Sequence, residues 1–347
     1  MAVRSLLRKV SSVRPVCLDY ADLVSNKNLY KEIEEAYSNS GLGVLTVKNI
    51  PNYSDRRKNL LPLARKLALL SDAEKAELEL PQHKFSVGWS HGKEHYGGLA
   101  DFSKGSFYAN AEVDQAPAKG EWPDNVWPKK SLPELEGAFK DMGNTAIHVG
   151  TLLARHLDLF ISSRVKNYIP NTLETIIATH KSHVGRLLHY FPQVGSNNNW
   201  CGWHNDHGAL TALTSSLYLD QKTGQVVSAN EIGDANVGLF VRNRKGEKIK
   251  VQANADHLCF QIGESAQILS GGILQATPHA VLTEGKLENI SRNTFAIFME
   301  PRGFYVMNSH DEKNVYIEHE GVPSLKNRWK QGMRFLDFHL NTIGAFN

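Results

Sequence analysis

The chain has 347 residues, 39 of them basic and 36 acidic, with a formal net charge of +3. That length suits one large core or two modest domains, and balanced charge without a Lys/Arg block excludes a nucleic-acid surface as the main purpose. No run of eighteen apolar residues crosses a bilayer, and Cys17, Cys201 and Cys259 are too scattered for a disulfide framework, so a reduced intracellular setting is expected.

Residues 1–14 read as a basic leader or tail, with Arg4, Arg8, Lys9 and Arg14 preceding the first acid, Asp19. Such acid-poor, Ser-bearing starts include organelle transit peptides. The expected compartment is cytoplasmic, with a mitochondrial or other organellar address as the alternative. "VRPVCLDYADL" (13–23) reads as a short strand entering a turn, and "NLYKEIEEAYSNSG" (28–41) as a helix stopped at Gly41. "LGVLTVKNIP" (42–51) is a buried strand ended by Pro51, and residues 56–78 an amphipathic helix broken near Ser71. Residues 86–107 show no period and read as a long loop. Residues 134–161 carry the longest helical pattern.

From about residue 180, short apolar runs alternate with Gly, Asn and charged turns: "GRLLHYFP", "WHNDHGALTALTSS", "VGLFVRN", "KIKVQAN", "HLCFQIG", "SAQILSGG", "HAVLTEG" and "RNTFAIFMEP". Many short strands at near-regular spacing predict a sandwich or barrel. Helical spacing returns in "SLKNRWKQGMRFLDFHL" (324–340). The expected class is α+β, with a mainly helical region at 15–165, a β core at 180–305 and a helical segment at 306–347.

His-x-Asp occurs twice. His156 and Asp158 fall in the long helical pattern, where residues i and i+2 point about 200° apart and cannot share an ion; that copy is surface or capping chemistry. His204 and Asp206 lie in a strand-like run, where i and i+2 share a face. His279 sits in another strand of the β region. Two imidazoles and one carboxylate on one face of an octahedral ion leave three positions open. Arg292 and Thr294 share a strand face before an apolar run, and an arginine entering a barrel needs an anion. A guanidinium binds a carboxylate bidentately and a hydroxyl adds a bond. A His/Asp/His metal with an Arg/Thr clamp fits 2-oxoglutarate.

"WHNDHGALTAL", "CFQIGESAQILSGGILQATPHAV" and "RNTF" resemble the ligand strand, third-ligand turn and cosubstrate clamp of the Fe(II)/2-oxoglutarate-dependent dioxygenases of the isopenicillin-N-synthase-like superfamily. "VRPVCLDYADL", "EEAYSNSGLGVLTVKNIP", "LSDAEKAEL" and "DNVWPKKSLPELEGAFKDM" are similar to its earlier segments in the same order. The resemblance implies a double-stranded β-helix (jelly-roll) core with helices outside, Fe(II) held by His204, Asp206 and His279, and 2-oxoglutarate held by Arg292 and Thr294. It implies oxidation, as hydroxylation, of a small organic substrate with O2, releasing succinate and CO2. The expected protein is a monomer with a small-molecule substrate and no nucleic-acid or membrane partner. An Fe(II) oxidase of this fold that uses no 2-oxoglutarate, and a non-catalytic 2-oxoglutarate or iron sensor, are the rival readings.

The chain departs from the family pattern at three places. His189 and Phe191 stand where the family has Asn and Tyr before the proline, Thr294 replaces serine, and the gap from His279 to Arg292 is longer. With Leu187 and Phe191 taken as inward-facing, His189 faces inward too and stands in for the tyrosine on the cosubstrate, or is a structural residue. Trp89, His91 and Tyr108 fall in the region that borders the family's substrate pocket, and local packing accounts for them equally well. Trp203 and His207 should point away from the metal face, and Cys201 reads as a small buried apolar side chain.

Overall fold

A computed structural model of the chain describes residues 11–96, 99–115, 122–192, 199–228, 232, 236–284, 287 and 289–346. Most of the basic leader lies outside them, and its last residues form a strand. The N-terminal strands are β1 (Ser11–Val13), β2 (Val16–Asp19), β3 (Val44–Lys48), β4 (Gly88–His91), β5 (His95–Tyr96), β6 (Leu99–Ala100) and β7 (Lys104–Ala109). The remaining large-sheet strands are β8 (Val184–Tyr190), β10 (Leu210–Thr214), β11 (Leu217–Asp220), β14 (Leu258–Ile262) and β16 (Ile290–Met299). Those of the smaller sheet are β9 (Asn199–His204), β12 (Asn236–Arg242), β13 (Lys248–Val251) and β15 (His279–Glu284). The helices are α1 (Tyr20–Val24), α2 (Tyr30–Tyr37), α3 (Tyr53–Ala68), α4 (Asp72–Ala76) and α5 (Glu134–Ser162). They continue with α6 (Thr172–Thr179), α7 (Glu264–Leu269), α8 (Glu312–Val315) and α9 (Phe335–Phe346).

The smaller sheet runs β1-β13-β12-β15-β9, and the larger β2-β3-β14-β10-β16-β8-β7-β4 with β11 also on β16. From β8 to β16 the chain passes back and forth between the sheets, and eight of these strands form the two facing four-stranded layers of a jelly roll. The first part of the chain is less helical than its periodicity predicts. β2, β3, β4 and β7 all extend the large sheet, and the long loop expected at 86–107 is largely strand. These strands are short, and β3 and β7 find partners far along the chain in β14 and β8, so no local period announces them. "SAQILSGG" is helix α7 rather than a strand, and 324–340 divides into a 3-10 turn, a two-residue strand and the start of α9.

Helices α3 and α5 cover the outer face of the large sheet. Phe139 of α5 meets Phe295 of β16 edge-on at 4.8 Å. Gly143 and Gly150, seven residues apart and so on one helix face, permit the close approach. A Cβ on Gly143 would lie 2.2 Å from the Ala111 Cβ, and one on Gly150 would lie 2.5 Å from the Met299 sulfur. The expected break at Ser71 separates α3 from α4, where Ser71 and Glu74 form a capping box. No helix among the described residues is long and apolar enough to cross a membrane.

The helical His-x-Asp copy does capping work, and it is buried rather than on the surface, each residue being 2 % exposed. Asp158 accepts the Leu173 and Glu174 backbone N–H groups at 3.0 and 2.8 Å, which satisfies the N-terminus of α6. His156 Nε2–H donates to Leu23 O at 3.0 Å.

Candidate metal centre and buried arginine

His204 ends β9 and His279 begins β15, and the strand register sets the two residues opposite each other. Asp206 lies just past the strand end, so the turn rather than strand alternation aims its carboxylate. Asp206 Oδ1 is 3.8 Å from His204 Nε2 and 3.7 Å from His279 Nε2, and the two rings are 4.2 Å apart. Each Nδ1–H donates to a carbonyl two residues back: His204 to Gly202 O at 2.8 Å and His279 to Thr277 O at 3.3 Å. Those bonds fix the tautomers and leave both Nε2 lone pairs aimed at one point, the usual outer support of a metal-binding imidazole. Asp206 is 7 % exposed, and its Oδ2 has no hydrogen-bond partner. Burial alone would raise this carboxyl, but the two imidazoles hold it below the ordinary range. A buried, half-satisfied carboxylate between two oriented imidazoles is chemistry suited to a divalent cation.

Strand pairing decides which side chains share the interior with this group. On β16, Arg292 pairs with Tyr190 and Thr294 with Leu188 of β8. Leu188 and Tyr190 cluster with Val281, which follows His279 by two residues on β15 and so shares its face. Arg292 and Thr294 therefore face the space between the sheets. Arg292 is 2 % exposed, its Nε donates to Ser216 Oγ at 2.7 Å, and its Nη1 has no partner. Among the described residues no carboxylate pairs with it, and the guanidinium carbon lies 4.7 Å from the Tyr190 ring centre. Thr294 Oγ1 donates to Thr214 O at 3.0 Å, which leaves its lone pairs able to accept. The residues fit an anionic ligand at Arg292.

His189 stands on the opposite face, which corrects its expected inward orientation. Its Nδ1–H donates to Asn293 Oδ1 at 2.7 Å, and Asn293 in turn donates to Leu61 O of α3 at 2.9 Å. The helix layer therefore faces His189, and the inward ring at the end of β8 is Tyr190. Both faces of β8 are covered, one by helices and one by the smaller sheet, so alternation of apolar residues gives no sign of which face is which.

Trp89 and His91 also sit on the helix side. Trp89 pairs with Phe107 and packs so closely on Gly105 that a Cβ there would lie 2.2 Å from the indole. His91 meets Phe191 at 4.9 Å and Phe102 at 5.5 Å. Tyr108 faces inward beside Arg186, its register partner, and donates to Glu94 Oε1 at 2.9 Å. Glu94 pairs with Arg186 and with Lys104, and Lys104 with Asp101. This half-buried polar wall has no signature in the sequence, because its members are scattered from 94 to 186. Cys201 is half-buried with its sulfur 3.9 Å from His204 Nδ1, and burial, which raises its thiol, is outweighed by His204, leaving it at about 7. Trp203 turns outward and carries Arg242 at 4.5 Å over its ring. His207 turns away from Asp206 toward α9, with its Nε2 2.8 Å from His339 Nδ1.

No protein-family model matches the chain, and no curated protein resembles it in sequence. Solved structures do match. A 2OG-Fe(II) oxygenase family protein from Caulobacter crescentus superposes with TM-score 0.70 at 16% identity, over 97% of this chain and 100% of that one. A full-length Neurospora crassa protein solved in complex with alpha-KG and thymine gives 0.68 at 17% identity, over 97% and 98%. JOX2 in complex with 2OG, Fe and JA gives 0.63 at 17% identity, over 96% and 86%. The chain has the fold of the 2OG-Fe(II) oxygenases. Within that oxygenase fold, His204, Asp206 and His279 form one of two groups of His and carboxylate side chains, among the described residues, close enough to hold a metal.

Proposed function

We propose that the protein is an Fe(II)- and 2-oxoglutarate-dependent oxygenase that oxidises a small organic substrate, with residues 180–305 as its catalytic core. His204 Nε2, His279 Nε2 and the Asp206 carboxylate would hold the iron. When bound, iron with 2-oxoglutarate and O2 supplies the oxidising chemistry, with succinate and CO2 as coproducts. Arg292 binds the far carboxylate of 2-oxoglutarate through its unpaired Nη1. Thr294 and Ser216 offer hydroxyls beside it, and Tyr190 packs against the guanidinium. The keto-acid end would then be left for the ion held by the histidines and Asp206. The helices over the large sheet and the smaller sheet opposite exclude water around the reacting groups.

One observation carries the reading: a buried arginine with an unsatisfied nitrogen faces the smaller sheet, whose strands carry a His/Asp/His group with an unsatisfied carboxylate oxygen. The rival Fe(II) oxidase without 2-oxoglutarate gives that arginine nothing to bind. Tyr108 and the Glu94–Arg186 pair form the polar wall that would meet the substrate, while Trp89 and His91 support it from behind. Solved structures of the same fold were captured with thymine and with JA, and the polar wall here suits a small-molecule substrate.

The test is anaerobic titration of 2-oxoglutarate into Fe(II)-loaded protein, followed by its charge-transfer absorption. Arg292→Ala should weaken binding by about 2–5 kcal/mol, the usual loss when one partner of a buried charge pair is removed. Arg292→Lys should recover only part, because an ammonium lacks the planar fork. Equal affinity in Arg292→Ala and the parent would overturn the cosubstrate assignment.

A further inference from the structure

Three side chains outside the His204/Asp206/His279 group converge from three separate elements. His207 follows the loop that carries Asp206, Glu300 lies just past β16, and His339 projects from α9. Their ligand atoms all lie within 4.8 Å of one another. His207 Nε2 is 2.8 Å from His339 Nδ1 and 3.6 Å from Glu300 Oε1. Glu300 is 8 % exposed, its Oε1 lies 3.6 Å from that imidazole, beyond hydrogen-bond reach, and the Asp206 carboxylate is near enough to repel it.

A hydrogen bond between two neutral imidazoles explains the two histidines but not the carboxylate. One proton shared between Nε2 and Nδ1 satisfies both nitrogens and leaves the Glu300 carboxyl with no protein donor among the described residues. A divalent cation serves all three groups at once. Tetrahedral Zn(II) with its usual bond lengths sets ligand atoms roughly 3.4 Å apart, and the observed 2.8 and 3.6 Å bracket that spacing. A cavity of about 220 Å³, bordered by Glu300, His339, Phe335 and Leu336, leaves room for a water as fourth ligand. Nitrogen and oxygen donors of this kind bind Zn(II) more tightly than Fe(II).

We propose that His207, Glu300 and His339 form a Zn(II) site that ties the C-terminal helix α9 to the loop bearing Asp206. Because His207 is the next residue after Asp206, the ion would hold that loop from its outer side. The site stands on its own geometry and does not depend on the oxygenase reading.

The experiment is zinc titration of metal-free full-length protein by calorimetry, with parallel Co(II) absorption spectra to report coordination number. The parent should bind two equivalents, whereas His339→Gln and His204→Ala should each bind one. The intense four-coordinate Co(II) bands should vanish in His339→Gln and persist in His204→Ala. Zinc should raise the melting temperature of His204→Ala and leave that of the His204→Ala/His339→Gln double variant unmoved. Glu300→Gln, which keeps the side-chain volume, repeats the test should His339→Gln fail to fold. Zinc binding by a folded His339→Gln or Glu300→Gln variant equal to the parent's, or no zinc bound by His204→Ala, overturns the proposal.

Discussion

Replacing Arg328 with methionine should weaken the support of the Asp206 loop more severely than any surface change. Arg328 and Glu264 are 3 % and 2 % exposed, and their side chains make a two-pronged pair, both N–H···O distances being 2.6 Å. Arg328 also donates to Thr342 Oγ1 at 3.0 Å and to Pro323 O at 2.9 Å. On the other side, Asn205 donates to Glu264 Oε1 at 3.1 Å, and the Glu264 backbone N–H donates to Asp206 O at 2.8 Å. Arg328→Met would leave Glu264 charged and buried with Asn205 as its remaining side-chain donor. Removing one partner of a buried pair costs about 3–5 kcal/mol, most of it the penalty on the stranded charge.

Urea denaturation of the metal-free protein should show that loss. Calorimetric iron titration should show weaker binding as well, because the same glutamate holds the Asp206 backbone. Glu264→Gln combined with Arg328→Met removes both charges and should recover more than about 1 kcal/mol relative to Arg328→Met alone, the range expected of coupled neighbours. A single variant within about 1 kcal/mol of the parent would refute the buried-charge reasoning. Lost stability with unchanged iron affinity would refute the link to the loop.

His204→Ala and Asp206→Ala should each abolish Fe(II) binding while circular dichroism shows an intact fold; retained parent-like affinity would remove the residue from the ligand set. His156→Ala should keep iron affinity and lose about 1–3 kcal/mol of stability, since it strips a buried carbonyl, Leu23 O, of its donor. His189 is held by burial at about 4, below the ordinary imidazole value of 6.5. The unfolded chain therefore takes up the proton first on acidification: the contribution is complete above about pH 6.5 and is lost as pH falls toward 4, by about 2 kcal/mol at pH 5. His189→Phe should flatten that part of the stability–pH curve and leave 2-oxoglutarate affinity unchanged; weaker cosubstrate binding would place His189 on the inner face after all.

The metal-binding group is legible in the sequence because its signal is chemical. Few reasons exist for an imidazole and a carboxylate to interrupt an apolar strand, and the helical copy at His156 supplies its own control. Its detailed placement is less legible. Asp206 is expected on a strand face and lies in the turn after it, and the pairing of His279 with His204 depends on a register no local pattern encodes. The strands at 88–109 are hidden for the same reason. Of these, β7 is paired with β8, some eighty residues away, and β4 is added at the sheet edge on β7.

Strand β8 shows why the proposed cosubstrate wall is harder to read than the proposed metal group. Its residues Leu187, Leu188, His189 and Tyr190 offer each face one aliphatic and one aromatic or imidazole ring. A sheet covered on both sides selects for that composition on both faces, so periodicity carries no inside–outside information. What breaks the tie is β16. Arg292 cannot face α3, where Asn293 and His189 already occupy the contact with Leu61, and its register places Tyr190 beside it on the inner side. The arginine, the costliest residue to bury unpaired, thus fixes the faces of both strands. The inner tyrosine absent from its expected place at Phe191 is therefore Tyr190, one position earlier. Tyr190→Leu should loosen the packing on the Arg292 guanidinium and weaken 2-oxoglutarate binding at least several-fold, while His189→Phe on the neighbouring position does not. Equal effects from the two would mean that the strand tolerates no change on either face, and that neither ring reports on the cosubstrate.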